Sequence, residues 1–260
     1  MLRHLLLFAY GLCCYVVFLV AFLYAVAFVG GWFVPRQLDG ALAGSMPGAL
    51  LIDAALLTVF ALQHSIMARR WFKERWTQLI PWVIERSTYV LCASAALLLL
   101  FWQWRPLGIA IWTVENPIGR SVLWLLFALG WGTVLVMTFL INHFDLFGLR
   151  QVWLPLIGRP YEPVAFRTPL PYRIVRHPLY LGFLLAFWST PHMTLAHLVF
   201  ALATTGYILV GIHFEEKDLL SEHGARYAEY RHRVPMLLPG RRRMAATIGD
   251  TTNAGLRGHP

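Results

Sequence analysis

The longest uncharged apolar stretch in the chain runs from Leu5 to Val29. About 20 apolar residues in a helix are enough to cross the hydrocarbon core of a bilayer. Arg3 precedes the stretch, as in a signal peptide. The stretch is longer than the roughly 7–15 apolar residues of a cleavable segment, and no clean small-residue cleavage site follows it. It therefore predicts a retained membrane span.

The composition supports the same interpretation. Hydrophobic residues make up 58% of the chain and charged residues only 13%, with 11 Trp and 17 Phe. Soluble domains have roughly 45–50% apolar and about 25% charged residues. Aromatic side chains are also enriched at membrane interfaces. A soluble domain of this size would have no place to bury so much apolar surface, so the chain is predicted to be an integral membrane protein.

Further apolar stretches follow at Gly48–Ala68, Ser87–Trp104 and Ser121–Ile141. Two more, Leu179–Thr190 and Met193–His213, predict a helical hairpin. The first of this pair would reach only about 18 Å, less than the roughly 30 Å hydrocarbon core. We therefore expect an all-α, polytopic membrane helix bundle of about five to six spans, including a C-terminal helical hairpin, followed by a cytoplasmic amphipathic helix.

Basic residues indicate the orientation of the bundle and its partners. The net charge is +9, and most Lys and Arg follow the second and fourth apolar stretches or lie in the C-terminal part. By the positive-inside rule, both termini and the basic loops are cytoplasmic. The basic residues form no single block, which favours contact with the lipid bilayer over nucleic acid. We expect a bacterial inner-membrane protein with a cytoplasmic active site.

The chain is predicted to have a four-span unit over residues 1–141 and a functional unit over residues 142–239. Residues 240–260 lack periodic apolar positions and are expected to form a flexible basic tail. The cysteines lie inside apolar stretches without metal-ligand spacing, so no metal site is expected.

The first candidate motif opens the hairpin and reads Arg176-His177-Pro178-Leu179-Tyr180-Leu181-Gly182. Proline suits the first turn of a helix. The free N–H groups of that turn are donors for a carboxylate or another anion. Gly182, one turn later, would allow a close approach to the backbone.

The second candidate motif begins where the last apolar stretch ends, at Glu215 and Glu216. Acidic groups there are costly unless they face water, a basic partner or a ligand. On a continuous helix, Tyr227 and Tyr230 would share a face with Glu216, and their rings could pack against a base or a sulfonium cation. A purely structural alternative pairs the acids with Arg173 or Arg176 and places the tyrosines at the membrane interface.

In combination, these motifs resemble the signature of the isoprenylcysteine carboxyl methyltransferase and phospholipid methyltransferase superfamily. The resemblance covers roughly residues 172–239, and the chain has no GxGxxG fingerprint. It implies an integral membrane enzyme that uses S-adenosylmethionine. The implied cofactor-binding residues are His177, Pro178, Tyr180 and Gly182 on one side, and Glu215 or Glu216, Tyr227, Tyr230 and Arg231 on the other. The His223-Gly224 pair departs from the aromatic-glycine pair of many members.

The segment from Ile141 to Trp153 resembles the branch of membrane methanethiol S-methyltransferases. The thiolate is the nucleophilic form of a thiol, so a thiol acceptor needs a base or a positive field. His143 is the candidate base, with Asp145 orienting it. The remaining candidate catalytic residues, which would add the field, are Arg150 and Arg176. Alternatively, the segment only caps the fourth span before a glycine turn.

Other functions remain open at the level of sequence. A prenylated cysteine carboxylate or a lipid amine could replace the thiol acceptor. The histidines, among them His64 and His197, allow a membrane haem carrier if two of them face each other at one depth. Asp53 lies inside a predicted span, where acidic residues are functional candidates, which allows a transporter.

Overall fold

The computed structural model describes residues 1–42, 44–164 and 168–240. The predicted flexible tail therefore lies, apart from Gly240, outside the described residues. The helices are α1 (Leu2–Gly30), α2 (Met46–Ala68), α3 (Arg70–Trp76), α4 (Glu85–Gln103), α5 (Pro117–Ile141), α6 (His143–Leu146), α7 (Leu149–Leu156), α8 (Pro178–Trp188) and α9 (Leu195–Arg233). The strands are β1 (Ala110–Thr113) and β2 (His192–Thr194), and 3-10 turns lie at Trp82–Ile84 and Leu170–Arg173.

The predicted polytopic helical bundle is confirmed. Within the described ranges, five helices are long and apolar enough to cross a membrane: α1, α2, the Trp82–Gln103 segment, α5 and α9. Helix α8, with 11 residues, is apolar but shorter. It forms the predicted hairpin with α9, so the hairpin pairs one short helix with one long one.

Helix α8 packs antiparallel against α5 at two glycines. A Cβ atom on Gly130 would lie 2.6 Å from the Ala186 nitrogen, and one on Gly182 would lie 2.9 Å from the Gly130 carbonyl oxygen. Small residues let helix backbones approach this closely in membranes. Gly182 therefore admits α5, and the close approach predicted from the sequence is a contact between helices.

The turn of the hairpin lies at the end of the bundle that carries the α4–α5 connection. There β2 pairs antiparallel with β1, which belongs to that connection. His197, at the start of α9, is fully buried, with Nδ1 3.1 Å from Asp39 Oδ2 and Nε2 2.9 Å from the Phe187 carbonyl oxygen. Helix α8 is about 16 Å long, which is shorter than the hydrocarbon core of a bilayer. At this end of the bundle, the loops that contain β1 and Asp39 contact the hairpin turn.

Helix α9 continues past the last apolar stretch and changes direction at Gly224. The glycine has φ 53° and ψ −128°, a conformation outside the helical region. The predicted amphipathic segment is therefore the kinked end of α9. Helical spacing does not carry across the kink, so the shared face expected for Glu216 and Tyr230 is interrupted.

Asp53 has a structural contact inside the bundle. Its side chain is fully buried, and Oδ1 accepts a hydrogen bond from the backbone N–H of Arg105 at 2.9 Å. The carboxylate thereby holds the segment after α4 against α2. The contact uses one of the two carboxylate oxygens, and Oδ2 is buried with no hydrogen-bond partner among the described residues.

Candidate active site

The end of the bundle opposite the hairpin turn carries both predicted motifs, and we call it the basic end. Backbone hydrogen bonds join the two motifs there. The Arg176 N–H donates to the Pro235 carbonyl at 2.8 Å, and the His177 N–H donates to the Met236 carbonyl at 3.1 Å. Pro178 is the first residue of α8, as predicted. The chain after α9 thus lies against the start of α8.

Glu216 is at the centre of the joined motifs. Its Oε1 accepts hydrogen bonds from Arg176 Nε at 2.7 Å and lies 3.1 Å from His177 Nε2. Its Oε2 lies 3.8 Å from Arg231 Nη1, and its side chain is only 12% exposed. Arg176 also donates to the carbonyls of Arg231 and Val234. The Arg176–Glu216 pair suggested by the structural alternative is therefore present, and it fixes the end of α9 over the start of α8.

Glu215 has a different environment from its neighbour. Its side chain is 44% exposed, and its Oε2 lies 3.8 Å from His177 Nδ1. The hydroxyl of Tyr180 faces the same carboxylate. Glu215 therefore retains oxygen atoms that can accept hydrogen bonds from a ligand, whereas Glu216 is occupied by protein groups.

The tyrosines beyond the kink complete this group. The rings of Tyr227 and Tyr230 have centroids 5.7 Å apart, and Tyr227 is buried. The Tyr230 hydroxyl donates to the Tyr172 carbonyl at 2.6 Å. We call the whole group the donor-side cluster; its members are Arg176, His177, Tyr180, Glu215, Glu216, Tyr227, Tyr230 and Arg231.

A second polar group surrounds His143, which is 3% exposed at the end of α5. Its Nε2 lies 2.8 Å from the Tyr15 hydroxyl on α1, and its Nδ1 lies 2.8 Å from Thr138 Oγ1. Burial lowers the pKa of this histidine below its ordinary value. Aromatic rings with centroids 4.2 to 6.4 Å from the imidazole surround it: Tyr15, Phe18, Phe139, Phe144 and Phe147.

Asp145 does not orient His143 as the sequence suggested. Its Oδ1 accepts a hydrogen bond from Arg150 Nη1 at 2.9 Å, and its Oδ2 lies 3.5 Å from the Tyr161 hydroxyl. The side chain of Thr138, one turn back on α5, has the orienting position instead. Arg150 is likewise occupied, because the same nitrogen donates to the Glu162 carbonyl. The predicted cap is also present, since the Asn142 side chain accepts from the Asp145 N–H.

One face of α5 connects the two groups. Val134 on this face contacts the Gly182 position of α8. One helical turn further along, α5 reaches Thr138, which holds His143. One turn back from Gly182, antiparallel α8 reaches Pro178 and the donor-side cluster. The two groups therefore lie at the same depth, at neighbouring ends of packed helices.

Sequence reasoning missed Tyr15 and Thr138. Both lie inside apolar stretches and match no motif, and Tyr15 is 128 residues from its partner. Other histidines also have protein partners: His64 with Tyr89, His192 with Thr113, and His197 with Asp39. Three of the histidines that had suggested haem binding are therefore held by protein groups.

The chain is similar to several methanethiol S-methyltransferases. It is 58% identical over 230 residues to the methanethiol S-methyltransferase of Crocosphaera subtropica, covering 88% of this chain and 90% of that protein. It is 56% identical over 238 residues to the methanethiol S-methyltransferase of Mycobacterium tuberculosis, covering 92% and 98%. It is 52% identical over 236 residues to methanethiol S-methyltransferase 1 of Bradyrhizobium diazoefficiens, covering 90% and 82%.

No protein-family model and no solved structure matches the chain. Identity of this degree over most of both chains extends far beyond the motifs at the basic end. The resemblance inferred from those motifs is confirmed, and the chain belongs to the methanethiol S-methyltransferase family of integral membrane enzymes.

Proposed function

We propose that this protein transfers a methyl group from S-adenosylmethionine to methanethiol, which yields dimethyl sulfide and S-adenosylhomocysteine. The names of its relatives support the acceptor. The structural observation that carries the proposal is the placement of the donor-side cluster and the buried His143 at neighbouring ends of α5 and α8. The methyl donor, S-adenosylmethionine, is proposed from the residues of the donor-side cluster.

The residues of the donor-side cluster fit the chemical groups of S-adenosylmethionine. The half-exposed carboxylate of Glu215 suits the two ribose hydroxyls, and the first turn of α8 suits the amino-acid carboxylate. When bound, the donor supplies an electrophilic methyl carbon on a sulfonium sulfur.

The surroundings of His143 favour a small acceptor over a prenylated or lipid one. Phe18 and Phe147 stack at 3.7 Å beside the imidazole, and Phe139 stacks on it at 4.2 Å. Rings this close cover the imidazole, which favours a small acceptor over one with a long chain. Because its pKa is lowered, the imidazole is neutral at pH 7 and can accept the thiol proton.

We place the basic end in the cytoplasm of a bacterial cell. The positive-inside rule supports this orientation, and a water-soluble donor would then reach the cluster directly. The product is small and uncharged, so it can leave through the bilayer.

The proposed reaction is tested with detergent-purified protein, methanethiol and S-adenosylmethionine that carries a trideuterated methyl group. We expect dimethyl sulfide with three deuterium atoms in the headspace. Binding of the donor without sulfide formation would move the acceptor to a prenylcysteine or a lipid amine. If the protein neither binds the donor nor forms dimethyl sulfide, the proposed donor site is contradicted.

His143→Ala is expected to lower the rate of methyl transfer by about 10²–10⁴-fold, the usual contribution of a general base. Donor affinity should not change, because His143 lies outside the donor-side cluster. The measurements are headspace sulfide and calorimetric binding of the donor. His192→Ala, which removes an exposed histidine near the hairpin turn, is the matched control and should retain both. If His143→Ala methylates at the wild-type rate, His143 is not the base.

Gly224→Ala is expected to weaken donor binding by about tenfold or more. Alanine at φ 53°, ψ −128° costs about 1–3 kcal/mol of backbone strain, although its Cβ has free space around it. A straighter α9 would move Tyr227, Tyr230 and Arg231 away from Glu216. Gly211→Ala, in a regular part of α9 with equally free space, is the control and should bind the donor normally. Equal affinities for the two variants would show that the kink does not shape the site.

A further inference from the structure

We propose that the hydroxyl group of Tyr15 relays the proton of the acceptor thiol to His143. This inference rests on the proposed function and names the acceptor-side residue that touches the thiol. Tyr15 lies on α1, far in sequence from both motifs, and its hydroxyl contacts His143 Nε2 at 2.8 Å.

The hydrogen bonds of Thr138 determine which nitrogen of His143 is basic. The Thr138 hydroxyl has one proton, which it donates to the Leu135 carbonyl at 2.7 Å. Thr138 Oγ1 therefore accepts from His143, and the proton of the neutral imidazole is on Nδ1. Nε2 then carries the lone pair and accepts from the Tyr15 hydroxyl. The basic nitrogen is covered by this hydroxyl.

The surroundings of the two side chains indicate where a thiol can approach. His143 is 3% exposed, whereas Tyr15 is half-buried. The Tyr15 ring lies 6.1 Å from Phe144, and Phe144 and Phe139 are both about half exposed on the apolar surface of the bundle. Tyr15 is therefore the more accessible member of the Tyr15–His143 pair for an apolar thiol that arrives from the bilayer.

The relay transfers one proton in two linked movements. The thiol S–H bond breaks and its proton goes to Tyr15 Oη, while the Tyr15 O–H bond breaks and its proton goes to His143 Nε2. The sulfur lone pair forms a bond to the donor methyl carbon, and the pair from the broken carbon–sulfur bond stays on the donor sulfur. Tyr15 ends neutral, and His143 ends as an imidazolium that returns its proton to solvent.

The test is the pH dependence of methyl transfer by Tyr15→Phe. Phenylalanine preserves the ring packing and removes only the hydroxyl. At neutral pH we expect a rate at least tenfold below wild type. The deficit should shrink by about tenfold per pH unit in alkaline solution, because solution then supplies thiolate without a base. Donor affinity should remain at the wild-type value.

Tyr10→Phe is the matched control, since it removes a hydroxyl from the same helix that contacts Thr88 and not His143. It should follow the wild-type pH profile. The double variant with His143→Ala and Tyr15→Phe should lose no more activity than His143→Ala alone, because both side chains belong to one relay. A deficit in Tyr15→Phe that is the same at every pH, or no deficit, overturns the relay. An inactive wild type would contradict the proposed function instead.

Discussion

Glu216→Ala is expected to abolish measurable binding of the methyl donor and to destabilise the protein. The side chains of Arg176 and Glu216 are 11% and 12% exposed, and they meet at 2.7 Å. Removal of one partner from a buried ion pair typically costs about 3–5 kcal/mol, because the other charge stays buried without compensation. Arg176 also holds the carbonyls of Arg231 and Val234, so the whole donor-side cluster should loosen. Calorimetric binding and the thermal midpoint in detergent measure the two effects.

Two other acidic residues make this experiment specific. Glu229 lies on the same helix with its side chain 61% exposed and pairs with Arg233. Exposed pairs contribute about 0–1 kcal/mol, so Glu229→Ala should change neither stability nor binding. Glu215→Ala should weaken donor binding and leave the thermal midpoint unchanged, because that carboxylate is half exposed. Normal donor affinity in Glu216→Ala would show that the ion-pair network does not organise the site.

Gly130→Val is expected to be the most destabilising single substitution inside the bundle. A Cβ atom at this position would lie 2.6 Å from the Ala186 nitrogen and 2.8 Å from the Gly182 oxygen. Both are backbone atoms of α8, so the helix would have to move as a unit. Overpacking of this kind costs about 3 kcal/mol or more. Donor binding should fall as well, because α8 begins at the donor-side cluster.

Gly132→Val is the matched control on the same helix. A Cβ atom on Gly132 has no atom within 4 Å among the described residues. The two variants therefore have the same change in composition and differ only in what the new side chain meets. If the thermal midpoint falls for Gly130→Val and not for Gly132→Val, the close contact between helices is confirmed. Equal behaviour of the two would contradict it.

The spans could be predicted because hydropathy is a local property. Each apolar stretch found in the sequence corresponds to a helix. Most ends differ by a few residues, as for Gly48–Ala68, which is Met46–Ala68 in the structure, but the last stretch continues as α9 to Arg233. The start of α8 at Pro178 was also predictable, because a proline ring suits the first helical position whatever surrounds it. The hairpin followed from two apolar runs too close together to be independent.

The roles of individual site residues were harder to predict. Gly182 was expected to face a ligand, and its close neighbour is α5. Glu215 and Glu216 are adjacent in sequence, yet one is half exposed and the other is buried among cations. Asp145 was expected beside His143, and it pairs with Arg150. In each case the contacts depend on how separate segments of the chain pack, and residue type alone does not identify the partner.

The sequence by itself determined the class of protein, the order of the spans and the family. These follow from local hydropathy, charge and motif order, which do not depend on how the helices pack. Only the tertiary structure decided that Thr138 and Tyr15 hold His143, that Gly224 redirects α9, and that Glu216 pairs with Arg176. Those features depend on contacts between residues up to 128 positions apart and on the backbone conformation of Gly224. Residues so far apart in sequence come together only when the helices pack.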